Sequence, residues 1–338
     1  MDFQTVIQNL NKKQINPVYT VHGSEQYLQE EFLNTLYKAV NTEEEIDVVK
    51  FDLTEKNIDL IIDEAETYSF FSDFRLIIVN QVDLASTKPS FKLSKREEAR
   101  LTNYINHPNP SSIVVFMIPN DQMDNRKKIS KLFKKETTYV DITPLNEVKV
   151  QQYVEGYIKN TSIKITREAT VELLQRVNYQ LSQAMSEISK LESYALTGNV
   201  VTIEVVRQLV PRTLESDVFE LTNAVVNRQI NQAIQIYQDL ILMKHEPIAL
   251  HALLVSQFRI ILQCSVLSRS GYREAEIAKQ LGVHPYRVKL AIQSARQLPL
   301  NFQVKFYKEL AQVDLNMKRG IGTKEDYFYL LLTKLVEM

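Results

Sequence analysis

The sequence predicts an α/β domain of the doubly wound type, followed by a long all-α region. Between residues 17 and 145, short apolar runs typical of buried strands alternate with helical segments. Beyond Pro144 the strand signals mostly stop, and amphipathic helical segments continue to the end of the chain. Only 7 of the 338 residues are glycine, so the composition also favours helices over strands. A chain of this length has room for two or three domains.

Five predicted strands alternate with helices in the first part of the chain. The predicted strands are residues 17–23, 46–53, 74–81, 111–119 and 137–145. The helices that precede or separate them are residues 3–10, 25–40, 56–71, 95–108 and 125–136. Because strand-helix-strand crossovers are right-handed, this order predicts a mostly parallel sheet.

The turn after the first strand has the setting of a phosphate-binding loop but lacks its chemistry. Gly23 links the strand to a helix for which Ser24 is the expected N-cap. No second glycine and no Gly-Lys-Ser/Thr follows, so nothing there neutralises phosphate. The first two helical turns carry carboxylates instead, at Glu25, Glu30 and Glu31, and these repel a nucleotide. We therefore expect a nucleotide-binding scaffold without a nucleotide or any other cofactor.

The end of the third strand lacks the acidic residues with which an ATPase holds magnesium. Asn80 and Gln81 follow the strand, and Asp83 comes only later. We therefore expect no catalytic residue, no metal ligand and no ATPase activity.

An aromatic pair immediately precedes that third strand. Phe70 and Phe71 are adjacent, so on a helix ending there they do not both face one buried stripe. One interpretation is an exposed interface anchor held by the rigid strand behind it. The alternative is a small satellite core in which both rings fold back under the loop.

Charge and cysteine content limit the classes of partner. The formal net charge of −1 provides no global field for nucleic acid or an anionic membrane. A lysine-rich helix is read as a solvated face or, alternatively, as a local DNA-facing patch; its lysines are Lys127, Lys128, Lys131, Lys134 and Lys135. The single cysteine, Cys264, excludes an internal disulfide and fits a reducing compartment. No apolar run approaches the ~20 residues of a spanning helix, so we expect a cytoplasmic protein.

The C-terminal region contains a segment with the spacing of a helix-turn-helix. In residues 276–296, Ala278, Gly282 and Val288 stand where two helices cross closely. Arg287, Lys289 and Arg296 would then meet phosphates, which makes a DNA-binding regulator the alternative hypothesis. A tight helical hairpin explains the same spacing, since Pro285 and Tyr286 occupy positions where base-reading residues normally stand. His284 has no nearby nucleophile or acid in sequence and is expected to be structural.

Taken together, these segments resemble the delta subunit family of the bacterial DNA polymerase III clamp loader. The resemblance covers essentially the whole chain and rests on PVYTVHGSEQYL, SFFSDFRLIIV, HALLVSQFRIILQ, IAKQLGVHPYRVK and the late DLNMKRG. It implies an AAA+-like α/β domain at residues 1–144, a small helical lid domain at 145–211 and a helical collar domain at 212–338. From about Leu214 onward the chain is expected to fold alone as a helical domain.

The resemblance also implies a function, namely binding the beta sliding clamp and opening its ring for loading onto primed DNA. In the family an apolar pair before the third strand is the clamp anchor, and it corresponds to Phe70 and Phe71. Ser72, Asp73 and Arg75 would form a polar rim. The subunit would have no active site of its own within the DNA-directed DNA polymerase holoenzyme.

The other implied partners are the motor and delta-prime subunits, held through the collar. Contact with primer-template DNA would be indirect or weak, and no membrane is involved. The motor subunit needs a complete phosphate-binding loop and a zinc cluster, and the delta-prime subunit is expected to carry Ser-Arg-Cys. The cysteine here follows Gln263 instead, so the delta family fits better than either.

Overall fold

The computed structural model describes residues 2–40, 47–55, 57–68, 74–86, 89, 91–121, 123–196, 198–283 and 285–337. The chain divides into two compact units, Met1–Leu145 and Asn146–Met338. The first unit contains the sheet, and the second is helical. The finer division of the second unit into lid and collar near Pro211 stays a prediction.

The first unit is built on a parallel sheet of five strands, as predicted. The strands are β1 (Val18–His22), β2 (Asp47–Asp52), β3 (Arg75–Asn80), β4 (Ser112–Ile118) and β5 (Thr138–Asp141). Their spatial order is β2-β3-β4-β1-β5, and every neighbouring pair is parallel. The burial of each strand agrees with its position in the sheet. All residues of β1 and β4 are buried at the centre, whereas β2 and β5, the edge strands, keep partly exposed residues.

The direction of each crossover assigns its helix to a face of the sheet. The helices are α1 (Phe3–Asn11), α2 (Gln26–Val40), α3 (Ile58–Glu66), α4 (Lys95–Asn106) and α5 (Lys128–Glu136). The β1-to-β2 crossover runs opposite to the others, so a right-handed connection puts α2 on the opposite face. There α2 packs beside α1, and Phe32 lies 5.4 Å from Tyr19 between ring centroids. Ile61 of α3 and Phe133 of α5 share the core of the other face with Phe116.

Two helix boundaries differ from the sequence-based expectation. The helix expected to reach Phe71 ends at Glu66, because Thr67 is already extended, with ψ 132°, and its hydroxyl caps the last turn by donating to the Asp63 carbonyl oxygen. This helix therefore ends before the phenylalanine pair, which lies outside the described residues. Likewise, α2 begins at Gln26, which puts Glu25 rather than Ser24 in the cap position.

The second unit consists of helices throughout the part that the structure describes. They are α6 (Glu147–Asn160), α7 (Arg167–Arg176), α8 (Leu181–Ala195), α9 (Ile203–Leu209), α10 (Leu214–Val226), α11 (Ile230–Leu242), α12 (Pro247–Arg269), α13 (Glu274–Leu281), α14 (Pro285–Arg296), α15 (Leu300–Lys318) and α16 (Asp326–Glu337). An isolated parallel bridge joins Ile165 to Val201. The helix predictions of the sequence are thus confirmed in this unit, and the fold class with them.

The central helix of this unit, α12, corrects the expectation that no segment is long and apolar enough to span a membrane. By length and composition α12 passes that test. However, more than half of its apolar window is buried inside the protein, against α14 and α15 among others. It also buries polar side chains, those of His251 and Gln257. These contacts are those of a core helix, which explains the apolar composition.

His251 makes the stability of the second unit sensitive to pH. It is buried, and its ring Nε2–H donates to the Leu310 carbonyl oxygen at 2.8 Å. Burial lowers the pKa of His251 below its ordinary value of 6.5, although that bond and Asp314 oppose the shift. The unfolded histidine therefore takes up a proton at a higher pH than the folded one, so stability falls as pH drops below about 6.5.

We expect His251→Gln to lose part of this pH dependence, because glutamine has an amide donor but no titratable group. Urea denaturation at about pH 7.5 and about pH 5.5 measures it. The wild type should lose more stability than the variant over this range. Equal losses in both proteins would show that His251 does not contribute.

Candidate functional site

The candidate site is the connection between α3 and β3, which leads into the N-terminal end of β3. On one side α3 ends at Glu66, and on the other β3 starts at Arg75. The predicted anchor, Phe70 and Phe71, lies outside the described residues, and so do the predicted rim residues Ser72 and Asp73. Of the five predicted site residues, Arg75 lies in the described part of the chain. The described residues also show which contacts hold the two ends of the connection.

The helix α3 is fixed along its length by a charged side chain from α4. The Arg100 guanidinium donates to the carboxylates of Asp59 (3.1 Å) and Asp63, and it lies 3.5 Å from a carboxylate oxygen of Glu66. The hydrogen bonds to Asp63 and Asp59 raise the pKa of Arg100. One cation therefore joins three successive turns of α3 to the neighbouring helix.

A carboxamide fixes the last turn of α3 as well. Asn109 donates from Nδ2 to the Ala65 carbonyl oxygen at 3.1 Å, and its own Oδ1 accepts from the Ser111 N–H. The Arg75 N–H in turn donates to the Ser111 carbonyl oxygen at 3.0 Å. The end of α3 and the start of β3 are thus tied to the same loop, which makes a rigid base for the connection.

Arg75 ties the start of β3 to two other elements. Its Nε lies 2.7 Å from Asp47 Oδ2 on β2, and its Nη1 lies 2.6 Å from Glu64 Oε1 on α3. The Arg75 side chain is only 13% exposed. The structure therefore gives Arg75 a supporting role beneath the connection, and its predicted contact with a partner stays a prediction.

We expect Arg75→Gln to destabilise the first unit by about 1–3 kcal/mol, because two partly buried carboxylates lose their shared partner. Chemical denaturation measures this loss. Arg126→Gln is the matched control, since Arg126 is 87% exposed and its pair with Asp124 contributes little. If the two variants were equally stable, the Arg75 ion pairs would not support the connection.

Two exposed apolar side chains, one on α3 and one in the connection, were not predicted from the sequence. Tyr68 is 65% exposed, and Leu60 on α3 is 54% exposed. The signal for Leu60 was present, because it is out of phase with the buried stripe formed by Ile58, Ile61 and Ile62. Tyr68 comes two residues before the predicted anchor in the sequence, so it adds apolar surface to the same connection.

The loop after β1 has its backbone donors committed to the protein itself. The Gly23 N–H donates to the Ile118 carbonyl oxygen, and the Glu25 N–H to that of Ile142, both at 3.0 Å. Gly23 has φ +132°, and a side chain there would collide with the backbone of Ile142 and Thr143. In a phosphate-binding loop such N–H groups point at the ligand. Here two of them close the loop onto β4 and the segment after β5.

A buried histidine and a half-buried tyrosine lie beside this loop. The Tyr139 hydroxyl is 2.6 Å from His22 Nδ1. Burial lowers the pKa of His22 and raises that of Tyr139 to about 12, so both groups are neutral near pH 7. Neither supplies the positive charge that a triphosphate requires. Asn80, the last residue of β3, and Gln81, which follows it, occupy the positions at which an ATPase would carry magnesium ligands.

The lysine-rich helix α5 directs several of its lysines back to the protein. Lys127 donates to the Leu84 carbonyl oxygen, Lys134 to Asn125, and Lys135 pairs with Glu136. These local contacts favour a solvated helix face over a DNA-facing patch.

The helix-turn-helix segment forms a tight hairpin of α13 and α14. Gly282 ends α13 in the left-handed conformation, and Ala278 and Val288 are buried as expected. Arg287 is half-buried and lines a polar cavity, whereas Lys289 and Arg296 are exposed. His284 lies outside the described residues. The buried face of α14 packs against α12, which is what the hairpin interpretation requires.

Comparison with known proteins decides the family. A model of the DNA polymerase III delta subunit matches residues 19–143, and a model of the C-terminal domain of that subunit matches residues 215–335. The Bacillus subtilis DNA polymerase III subunit delta is 34% identical over 335 residues, which cover 98% of this chain and 96% of that protein. The chain belongs to the DNA polymerase III delta subunit family. This confirms the resemblance and indicates a role in DNA replication.

Two further similarities extend over most of the chain. A solved structure of the Bacillus subtilis DNA clamp loader delta protein superposes with a TM-score of 0.77 at 34% identity, covering 99% of this chain and all of that one. A probable DNA polymerase III subunit delta of Aquifex aeolicus is 22% identical over 282 residues, 82% of this chain and 79% of that protein. The fold seen here is thus the fold of a clamp loader delta protein.

Proposed function

We propose that the chain is a non-catalytic clamp-loader subunit that binds the beta sliding clamp through the α3–β3 connection and opens its ring. The observation that carries this proposal is the rigid base of the connection. Arg100, Asn109 and Arg75 hold the end of α3 and the start of β3 from three directions. A short segment that leaves such a base loses little conformational entropy when it binds.

The residues on the connection supply the apolar contact. Phe70 and Phe71 are the anchor, Ser72 and Asp73 are a polar rim, and exposed Tyr68 extends the apolar surface. Ring opening requires the subunit to bind the opened clamp better than the closed one. An anchor attached to a rigid base binds best to one clamp geometry, because the base keeps its shape when the clamp changes conformation.

The closed loop after β1 supports a subunit that neither binds nor hydrolyses ATP. The Gly23 and Glu25 N–H groups are already bonded, and the loop has no lysine, so a triphosphate would lack two backbone donors and the positive charge. We expect no saturable binding of a fluorescent ATP analogue with magnesium. Micromolar, magnesium-dependent binding in this titration would contradict the expectation.

The helical second unit supports assembly with the motor and delta-prime subunits through a collar. Exposed apolar side chains occur at its surface, among them Leu242 (79% exposed), Met243 (65%) and Val336 (65%). We propose the lid and collar as residues 145–211 and 212–338, a cytoplasmic location, and contact with primer-template DNA that is at most indirect. Family membership favours this function over a helix-turn-helix regulator.

Gel filtration of the chain mixed with sliding clamp tests the proposal. We expect a complex that elutes earlier than either protein, while a specific duplex is not retained by the chain alone. Retention of a duplex with no shift of the clamp would favour the regulator and overturn the proposed function.

A further inference from the structure

The α3–β3 connection is surrounded by more negative than positive charge. In the part of the chain that the structure describes, two guanidinium groups join five carboxylates there. The guanidinium groups are those of Arg75 and Arg100, and the carboxylates are those of Asp47, Asp59, Asp63, Glu64 and Glu66. These ion pairs leave three negative charges in excess, whereas the formal net charge of the whole chain is only −1.

Other positive groups on α4 do not cancel this excess. Lys95 and Arg96 lie in the first turn of α4, which is the end of that helix away from Asn109 and the connection. His107 follows the last residue of α4 and adds at most one positive charge. At least two negative charges therefore remain uncompensated among the described residues.

The neighbouring strand and loop add no positive charge at the end of α3. On β2, Lys50 stands three residues after Asp47, which places it about 10 Å further along the strand. The loop that bonds to the end of α3 is uncharged over residues 108–112. The acidic excess therefore persists where α3 leads into the connection.

The excess negative charge is exposed close to the predicted anchor. Asp63 and Glu66, near the C-terminal end of α3, have side chains that are 60% and 53% exposed. Arg75, in contrast, is 13% exposed, so its positive charge is largely withdrawn from the surface. In the sequence, Glu66 precedes the exposed Tyr68 by two residues and the predicted anchor by four. A partner that contacts the connection would therefore meet these carboxylates as well.

The position of Arg100 distinguishes this surface from a metal site. Its Nη2 donates to Asp63 and lies 3.5 Å from Glu66 Oε2, so a cation already stands between the two carboxylates. A metal ion would have to displace it. Nucleic acid is also disfavoured, since its phosphate groups would meet excess negative charge. A protein surface that carries lysine or arginine side chains matches both the charge and the exposure.

We propose that Asp63 and Glu66 face lysine or arginine side chains that border the apolar pocket of the clamp in which the anchor binds. This inference rests on the proposed function, because the clamp is the partner that it describes. Opposite charges around an apolar contact accelerate the diffusional encounter and fix its orientation, whereas the buried contact determines mainly how long the complex lasts. The two carboxylates therefore act on association, and the phenylalanine pair acts on dissociation.

The salt dependence of association tests the inference, with the full chain and immobilised clamp. In surface plasmon resonance we expect the association rate constant of the wild type to fall by about tenfold between about 50 mM and about 500 mM sodium chloride, because ions screen exposed charges. The dissociation rate constant should change by less than about threefold.

Removal of the two charges should have the same effect as salt. Asp63→Asn with Glu66→Gln should lower the association rate constant by about three- to tenfold at about 50 mM salt, and the remaining rate should depend less on salt. Arg100 keeps Asp59 in this variant, so a thermal melt should show a melting temperature close to that of the wild type.

Asp239→Asn with Glu168→Gln is the matched control. It removes two exposed carboxylates from the second unit and changes the net charge by the same amount. Its association rate constant should equal that of the wild type, because these positions are not part of the proposed contact.

Two results would overturn the inference alone. One is an association rate constant of the wild type that does not fall as salt rises, a measurement that does not depend on any variant folding. The other is a double variant of Asp63 and Glu66 that associates as fast as the control. In both cases clamp binding persists, so the proposed function stands. A chain that binds no clamp at any salt concentration would overturn the proposed function and this inference together.

Discussion

Phe70→Ala with Phe71→Ala should weaken clamp binding by about a thousandfold while leaving the melting temperature nearly unchanged. Each ring that leaves water for an apolar pocket contributes roughly 2 kcal/mol, and the two together correspond to about three decades in affinity. The base of the connection is unaffected, because its contacts come from Arg75, Arg100 and Asn109. Surface plasmon resonance with immobilised clamp and a thermal melt measure both quantities.

The matched control is another adjacent apolar pair, Leu242→Ala with Met243→Ala. These side chains are 79% and 65% exposed at the end of α11, in the other unit. Clamp binding should survive this change. A phenylalanine double variant that lost several degrees of melting temperature yet still bound clamp would show that both rings belong to a core, which was the alternative interpretation of the sequence.

Gly23→Val should destabilise the first unit by more than about 3 kcal/mol, which is exceptional for one substitution. At φ +132° a β-branched residue is strained, and its Cβ would overlap the backbone of Ile142 and Thr143. The loop would have to open, and this breaks the hydrogen bonds that join it to Ile118 and Ile142. Urea denaturation measures the loss.

Gly156→Ala is the control for this substitution. Gly156 lies inside α6, where an added Cβ meets nothing within 4 Å. Alanine should stabilise that helix by about 0.5–1 kcal/mol, because it loses less backbone entropy on folding. If Gly23→Val were as stable as Gly156→Ala, the close approach at Gly23 would not hold the loop.

Periodicity was sufficient to predict the parallel sheet and the helical second unit. The run Ile113 to Ile118 is apolar without interruption, because β4 is covered on both faces and each of its side chains is buried. A strand of this kind can therefore be recognised from the sequence. The family also followed from the order of short segments along the chain. The end of α3 could not be predicted from the sequence. The Thr67 hydroxyl donates to the Asp63 carbonyl oxygen, and a threonine makes this bond both inside helices and at their ends.

The role of α12 and the role of Arg75 also depend on tertiary contacts that the sequence does not show. Composition alone makes α12 resemble a spanning helix. The family resemblance, together with its position beside the phenylalanine pair, predicted Arg75 as a rim residue. Packing against α14 and α15 makes α12 a core helix, and Asp47 and Glu64, distant in sequence, direct Arg75 beneath the connection.

By itself, the sequence determined the strand order along the chain, the helical second unit, the family and the incomplete chemistry of the loop after Gly23. Each of these depends on residue types at short spacing, where local periodicity and turn chemistry act directly. The tertiary structure decided that the Gly23 and Glu25 N–H groups bond to Ile118 and Ile142, and that the Arg75 side chain pairs with Asp47 and Glu64. These contacts join residues far apart in the chain, so their partners exist only once the chain has folded.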